Sequence, residues 1–204
     1  MGYTLLSRTE LNAGSTSEID IALTGDTADY DELYFVISGF KSNTDERVCG
    51  WQVITSGESG YDRPTQATCI ENWLYAHDYS HGAKRYHHTY DKQHTEAASS
   101  STQYNVILNN GDTSKAHANQ SGELILFEHT NTSFYKYFLT VGGGYDAHIH
   151  EFQQYHSNTH IAGYVKETAA LTGIRFVSCN YAGDQDGTIV NIGLSMYGLS
   201  LIHI

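Results

Sequence analysis

Proline, cysteine and positive charge are all scarce in this 204-residue chain, and helical periodicity is nearly absent. A single proline, Pro64, stands against 19 glycines, so the chain must turn through glycine and Asn/Asp conformations. Three cysteines, Cys49, Cys69 and Cys179, are odd in number and widely spaced. That spacing excludes a disulfide framework or zinc knuckle and predicts buried thiols made in a reducing cytoplasm. Only 11 Lys+Arg oppose 23 Asp+Glu, a formal charge of −12, and no basic cluster exists beyond Lys84-Arg85. Nucleic acid as a partner is excluded, because phosphate contacts need a basic footprint. No apolar run approaches a membrane-spanning length, and no charged region precedes an apolar stretch at the N-terminus. Neither membrane insertion nor a signal peptide is expected.

What is present is alternation. Apolar and polar residues alternate in short segments punctuated by Gly, Asn, Asp and Ser, and 16 tyrosines supply amphipathic rings. Strands are predicted near Ser17 to Leu23, Leu33 to Phe40, Val48 to Thr55, Ala67 to Tyr75, Gln103 to Leu108 and Glu123 to Glu128. Five more follow, near Tyr135 to Val141, Ala147 to Gln154, Thr159 to Val165, Thr172 to Ser178 and Gly187 to Leu199. Such a series predicts an all-β, antiparallel, jelly-roll-like sandwich, with residues 1–204 as one domain. Asn109-Asn110-Gly111-Asp112 is a turn signal; Gly142-Gly143-Gly144 reads as a hairpin tip or a close backbone approach. Residues 77–102 hold His77, His81, His87, His88 and His94 and almost no aliphatic residue, which predicts a long surface loop or insertion, or a subunit contact.

Twelve histidines raise the question of a metal. His148 and His150, two apart, fall on one face of a strand, a spacing able to ligate zinc, and His156 and His160 are further candidates. In a homotrimer, one such histidine from each chain could complete an axial site. The alternative is a solvent-facing strand face with no cofactor, since no H-E-x-x-H or C-x-x-C pattern is present. Asp20, Asp29, Asp31, Glu32, Glu123, Glu128 and Glu151 lie on or beside predicted strands and admit a glycan hydrolase using two carboxylates, or simply a solvated acidic face. No Gly-x-Ser-x-Gly elbow and no phosphate-binding glycine loop occur, so no enzyme activity is expected. Trp51, Trp73, Tyr75, Tyr79, Tyr86, Tyr90 and Tyr135 to Tyr137 are candidates for sugar stacking, for partner contact or for packing. Trp51 is expected to be buried; Tyr79, Tyr86 and Tyr90 are the better partner-contact candidates.

The C-terminal stretch Leu171 to Leu199 carries the most specific pattern. Ile174, Phe176 and Ser178 alternate with Arg175 and Val177, Gly183-Asp184-Gln185-Asp186-Gly187 interrupts, and Ile189 to Ile192 resumes before Met196-Tyr197-Gly198, which reads as a hairpin. This segment resembles one in small virion proteins of tailed bacteriophages, especially marine ones, where it closes a β-sandwich. Near the other end, Ser17-Glu18-Ile19-Asp20-Ile21 followed by Asp29-Tyr30-Asp31-Glu32-Leu33-Tyr34-Phe35 is similar to the opening strands of the same proteins.

The resemblance implies a homo-oligomeric virion component assembled in the host cytoplasm, expected as a homotrimer that contacts other virion proteins. It would decorate the capsid or serve as a small tail adaptor or fibre tip. The absence of an internal repeat or coiled coil argues against a fibre shaft. The apolar end, with Leu201, Ile202 and Ile204, is expected to dock on a partner chain. Alternatives from other classes are a lectin-like module recognising host-surface glycan, and the glycan hydrolase.

Overall fold

A computed structural model describes residues 2–44, 47–61, 63, 65–75, 82–86, 105–107, 119–146, 155–180 and 183–200. Within them the chain is built from antiparallel strands: β1 (Thr4–Thr16), β2 (Glu18–Ala22), β3 (Glu32–Ser42), β4 (Val48–Thr55), β5 (Thr65–Tyr75) and β6 (Gly82–Tyr86). There follow β7 (Asn105–Val106), β8 (Gln120–Phe127), β9 (Lys136–Asp146), β10 (Tyr155–Val165), β11 (Leu171–Cys179) and β12 (Ile189–Leu199).

The alternation in sequence sorts side chains onto two faces. In β3, Leu33, Phe35 and Ile37 are buried while Glu32, Tyr34 and Val36 lie on the other face. Two sheets bury these faces against each other. The larger has the order β1-β12-β3-β8-β9-β10-β5-β6 and the smaller β2-β11-β4-β7. Rings span the gap: Phe35 of β3 meets Phe176 of β11 at 5.7 Å, and the edge of one ring meets the face of the other where Trp51 of β4 packs on Phe138 of β9 at 4.9 Å.

The pairing is nested. β1 pairs with β12, β2 with β11, β3 with β8 and β4 with β7, the folded-ribbon arrangement of an eight-stranded jelly roll. The segments between these pairs add β5, β6, β9 and β10 to the side of the larger sheet.

Several expectations are corrected. β11 and β12 do not form a hairpin: they belong to different sheets, and the connection between them crosses the sandwich. Gly183 and Gly187 take positive φ there, which serves the crossing as well as it would a hairpin turn. Gly142-Gly143-Gly144 is no hairpin tip but the interior of β9, paired on both sides. β1 has no counterpart among the predicted strands; it is an edge strand with register shifts and a left-handed residue, Ala13 at φ 52°, which blur its alternation. Residues 82–86, expected within a loop, form β6 against β5. The strand expected at 147–154 lies outside the described residues, as does most of 77–102.

Candidate functional site

A cleft of about 640 Å³ opens at one end of the larger sheet. Asp31 and Glu32 enter it from the start of β3, Phe127 and Glu128 from the end of β8, Ser133 to Tyr135 from the β8–β9 turn, Tyr137 from β9, and Thr168 from the β10–β11 connection.

The β8–β9 turn is held by its own polar groups. Glu128 takes a left-handed φ of 48°, uncommon for a residue with a side chain, and its N–H donates to the Asp31 carbonyl at 2.6 Å. Asn131 then organises the turn: its Oδ1 accepts the N–H groups of Ser133 and Phe134 at 2.7 and 3.0 Å, and its Nδ2 donates to the Glu128 carboxylate at 2.9 Å.

Lys136, at an inward position of β9, is fully buried. Its Nζ donates to the carbonyls of Phe134, Glu167 and Thr168 at 3.3, 3.2 and 2.6 Å, tying the turn to the β10–β11 connection. Burial lowers its pKa, with the Glu167 charge opposing. The Glu167 carboxylate accepts the N–H groups of Thr168 and Ala169 and lies 3.6 Å from Arg63. Its pKa is lowered chiefly by the Ala169 N–H, with the Thr168 N–H and Arg63 adding to it.

His129, next to Glu128, is also fully buried, and neither ring nitrogen has a hydrogen-bond partner among the described residues. Burial pushes its pKa down to about 4, with Asp31 opposing and Lys136 adding, so the imidazole is neutral near pH 7.

Rings dominate the rim. Phe134, Tyr135 and Tyr137 are 64%, 46% and 60% exposed, so these rings have faces available to a ligand. Tyr135 stacks on Tyr164 of β10 with centroids 5.4 Å apart and planes 2° from parallel, and Tyr137 stands at 59° to Tyr164 at 6.0 Å. Among the described residues no Lys or Arg lines the cleft. It offers ring faces, carboxylates and the hydroxyls of Ser133 and Thr168.

Of the predicted acidic residues, the cleft brings together Asp31, Glu32 and Glu128. Asp20 instead pairs with Arg175 at 2.7 Å, and Asp29 closes a short 3-10 turn, Gly25–Asp29. Glu123 accepts from Tyr34, whose phenol pKa is raised by burial first and by that carboxylate second. Among the described residues, Tyr135 and Tyr137 are the predicted rings that line the cleft; Phe127 and Phe134, which also line it, and Tyr164, Lys136 and His129, which support it, were not foreseen. A lysine and a histidine at buried strand-end positions were the signal that could have marked them.

Trp51 is buried as expected, and Cys49 and Cys179 are buried thiols outside any disulfide. His148, His150, Tyr79, Tyr90, Leu201, Ile202, Ile204 and Glu151 lie outside the described residues. Tyr86 belongs to β6 and His156 to β10, while His160 is exposed on β10. Among the described residues no three His, Cys, Asp or Glu side chains are grouped to hold a metal. Comparison with family models, curated proteins and solved structures gives no match.

Proposed function

We propose that this chain is a structural subunit of a tailed-bacteriophage virion, a homotrimeric capsid-decorating protein or small tail adaptor or fibre tip, assembled in the host cytoplasm. One observation supports the reading most. The segments that carry the phage resemblance, far apart in sequence, are neighbours in the fold: β2 lies beside β11 in one sheet and β3 beside β12 in the other. They contribute one strand pair to each sheet of a jelly roll, an architecture used by viral capsid proteins as well as lectins. A charge of −12 keeps free subunits soluble and apart from anionic surfaces until they assemble. On a particle, many symmetric copies let modest contacts sum to firm attachment.

Mass spectrometry of gradient-purified particles tests the assignment directly: peptides of the chain should be recovered in fixed ratio to the major head or tail proteins. Recovery only from the unassembled fraction of the lysate removes it. Light scattering of the purified chain should give a trimer, and a stable monomer would refute that part. A trimer that dissociates in chelator would place an ion at the histidines.

A further inference from the structure

The geometry points to the aromatic cleft as a binding site for an uncharged sugar. The inference rests on the cleft alone and stands whether or not the chain belongs to a virion.

A pyranose ring has an apolar C–H face and a rim of hydroxyls, so it needs a flat ring to lie on and acceptors at the side. The exposed Tyr137 and the parallel Tyr135–Tyr164 pair supply two ring planes set at an angle, and Asp31, Glu32 and Glu128 stand beside them as acceptors. The volume, about 640 Å³, lies in the range of small-ligand pockets. Organisation before binding is built in: Asn131 fixes the turn that carries Phe134, and Lys136 fastens that turn to the loop carrying Thr168. Ordering cost on binding is therefore small.

Charge decides the class of sugar. The ammonium of Lys136, on β9 between Tyr135 and Tyr137, is buried and its three hydrogen bonds go to carbonyls, and no Lys or Arg is among the described lining residues, so nothing in that described lining neutralises a carboxylate or sulfate. The three carboxylates repel acidic glycans. A quaternary-ammonium cage is a poorer fit, because a cation needs rings converging on one point, whereas Tyr135 and Tyr164 lie parallel, each facing the other.

The test is a printed array of neutral, sialylated and sulfated oligosaccharides at equal density, followed by calorimetric titration of the strongest neutral binder. Neutral glycans should be retained and acidic ones not. Tyr137→Ala and Phe134→Ala should each weaken binding by about tenfold or more. Tyr137→Phe, which keeps the ring, should stay within about threefold. Tyr3→Ala, at an exposed ring that does not line the cleft, should leave affinity unchanged. All three positions are half exposed or more, and a thermal melt of each variant checks that it is folded. Retention of no glycan, retention of acidic glycans only, or an affinity indifferent to both alanine variants would overturn the proposal.

Discussion

Tyr30 lies directly over Gly198: a Cβ added at residue 198 would stand 2.4 Å from Tyr30 Cγ and 2.6 Å from both Cδ atoms. No conformational demand singles out this glycine; the demand is for space, and it joins a residue just before β3 to the end of β12. Gly198→Ala should destabilise the chain by about 1–3 kcal/mol, as overpacking does. Urea midpoints measure this, and Tyr30→Ala in the same chain should return part of the loss, giving a non-additive double-mutant cycle.

Acid should weaken the fold through His129. Its imidazole has a pKa of about 4 when folded against 6.5 ordinarily, so between those values the unfolded chain holds the extra proton. The contribution is complete above pH 6.5 and is lost as pH falls towards 4, by roughly 3 kcal/mol. His129→Leu should flatten the pH dependence of the urea midpoint across that window, with carboxylate titration left to dominate below it. Identical slopes in parent and variant would rule out a histidine buried neutral.

Removing the ammonium of Lys136 should strand three carbonyls. Lys136→Met keeps the unbranched apolar stem as far as the ε position but leaves the carbonyls of Phe134, Glu167 and Thr168 without this donor. The expected loss is about 1–3 kcal/mol. Hydrogen exchange should quicken in 133–137 and 167–171 while the amides of β3 and β11 keep their protection relative to global unfolding.

Arg175 makes a two-pronged bond to Asp20, 2.7 Å at each prong, reaches Glu18 at 2.8 Å, and lies 4.3 Å from the centre of the Tyr61 ring. Arg175→Lys retains the charge and loses both the fork and the stacking, so it should cost about 0.5–1 kcal/mol, less in high salt because the carboxylates are partly exposed. Urea midpoints in low and high salt give both quantities.

The sandwich was legible because half-buried strands impose alternation, as Leu33, Phe35 and Ile37 show. Which strands pair was not. Alternation reports a buried face but not the neighbour, so β11 and β12 looked like a hairpin when each pairs with strands from the other half of the chain. Glycine was ambiguous for a related reason: Gly142 to Gly144 fit a turn by propensity, yet pairing on both sides holds them extended. The cleft was half visible. Asp31, Glu32, Glu128, Tyr135 and Tyr137 were among the candidates, but their meeting depends on three connections converging at one sheet end, and that is a property of topology.

The nested pairing also governs how the chain comes to be folded at all. β12 lies between β1 and β3, and β11 between β2 and β4, so strands made early wait for partners synthesised last. During synthesis the early strands stay unclosed until β11 and β12 emerge, and closure then joins segments well over a hundred residues apart. Folding should accordingly be slow for its size, and the nascent N-terminal strands are where chaperone binding and misassociation would concentrate.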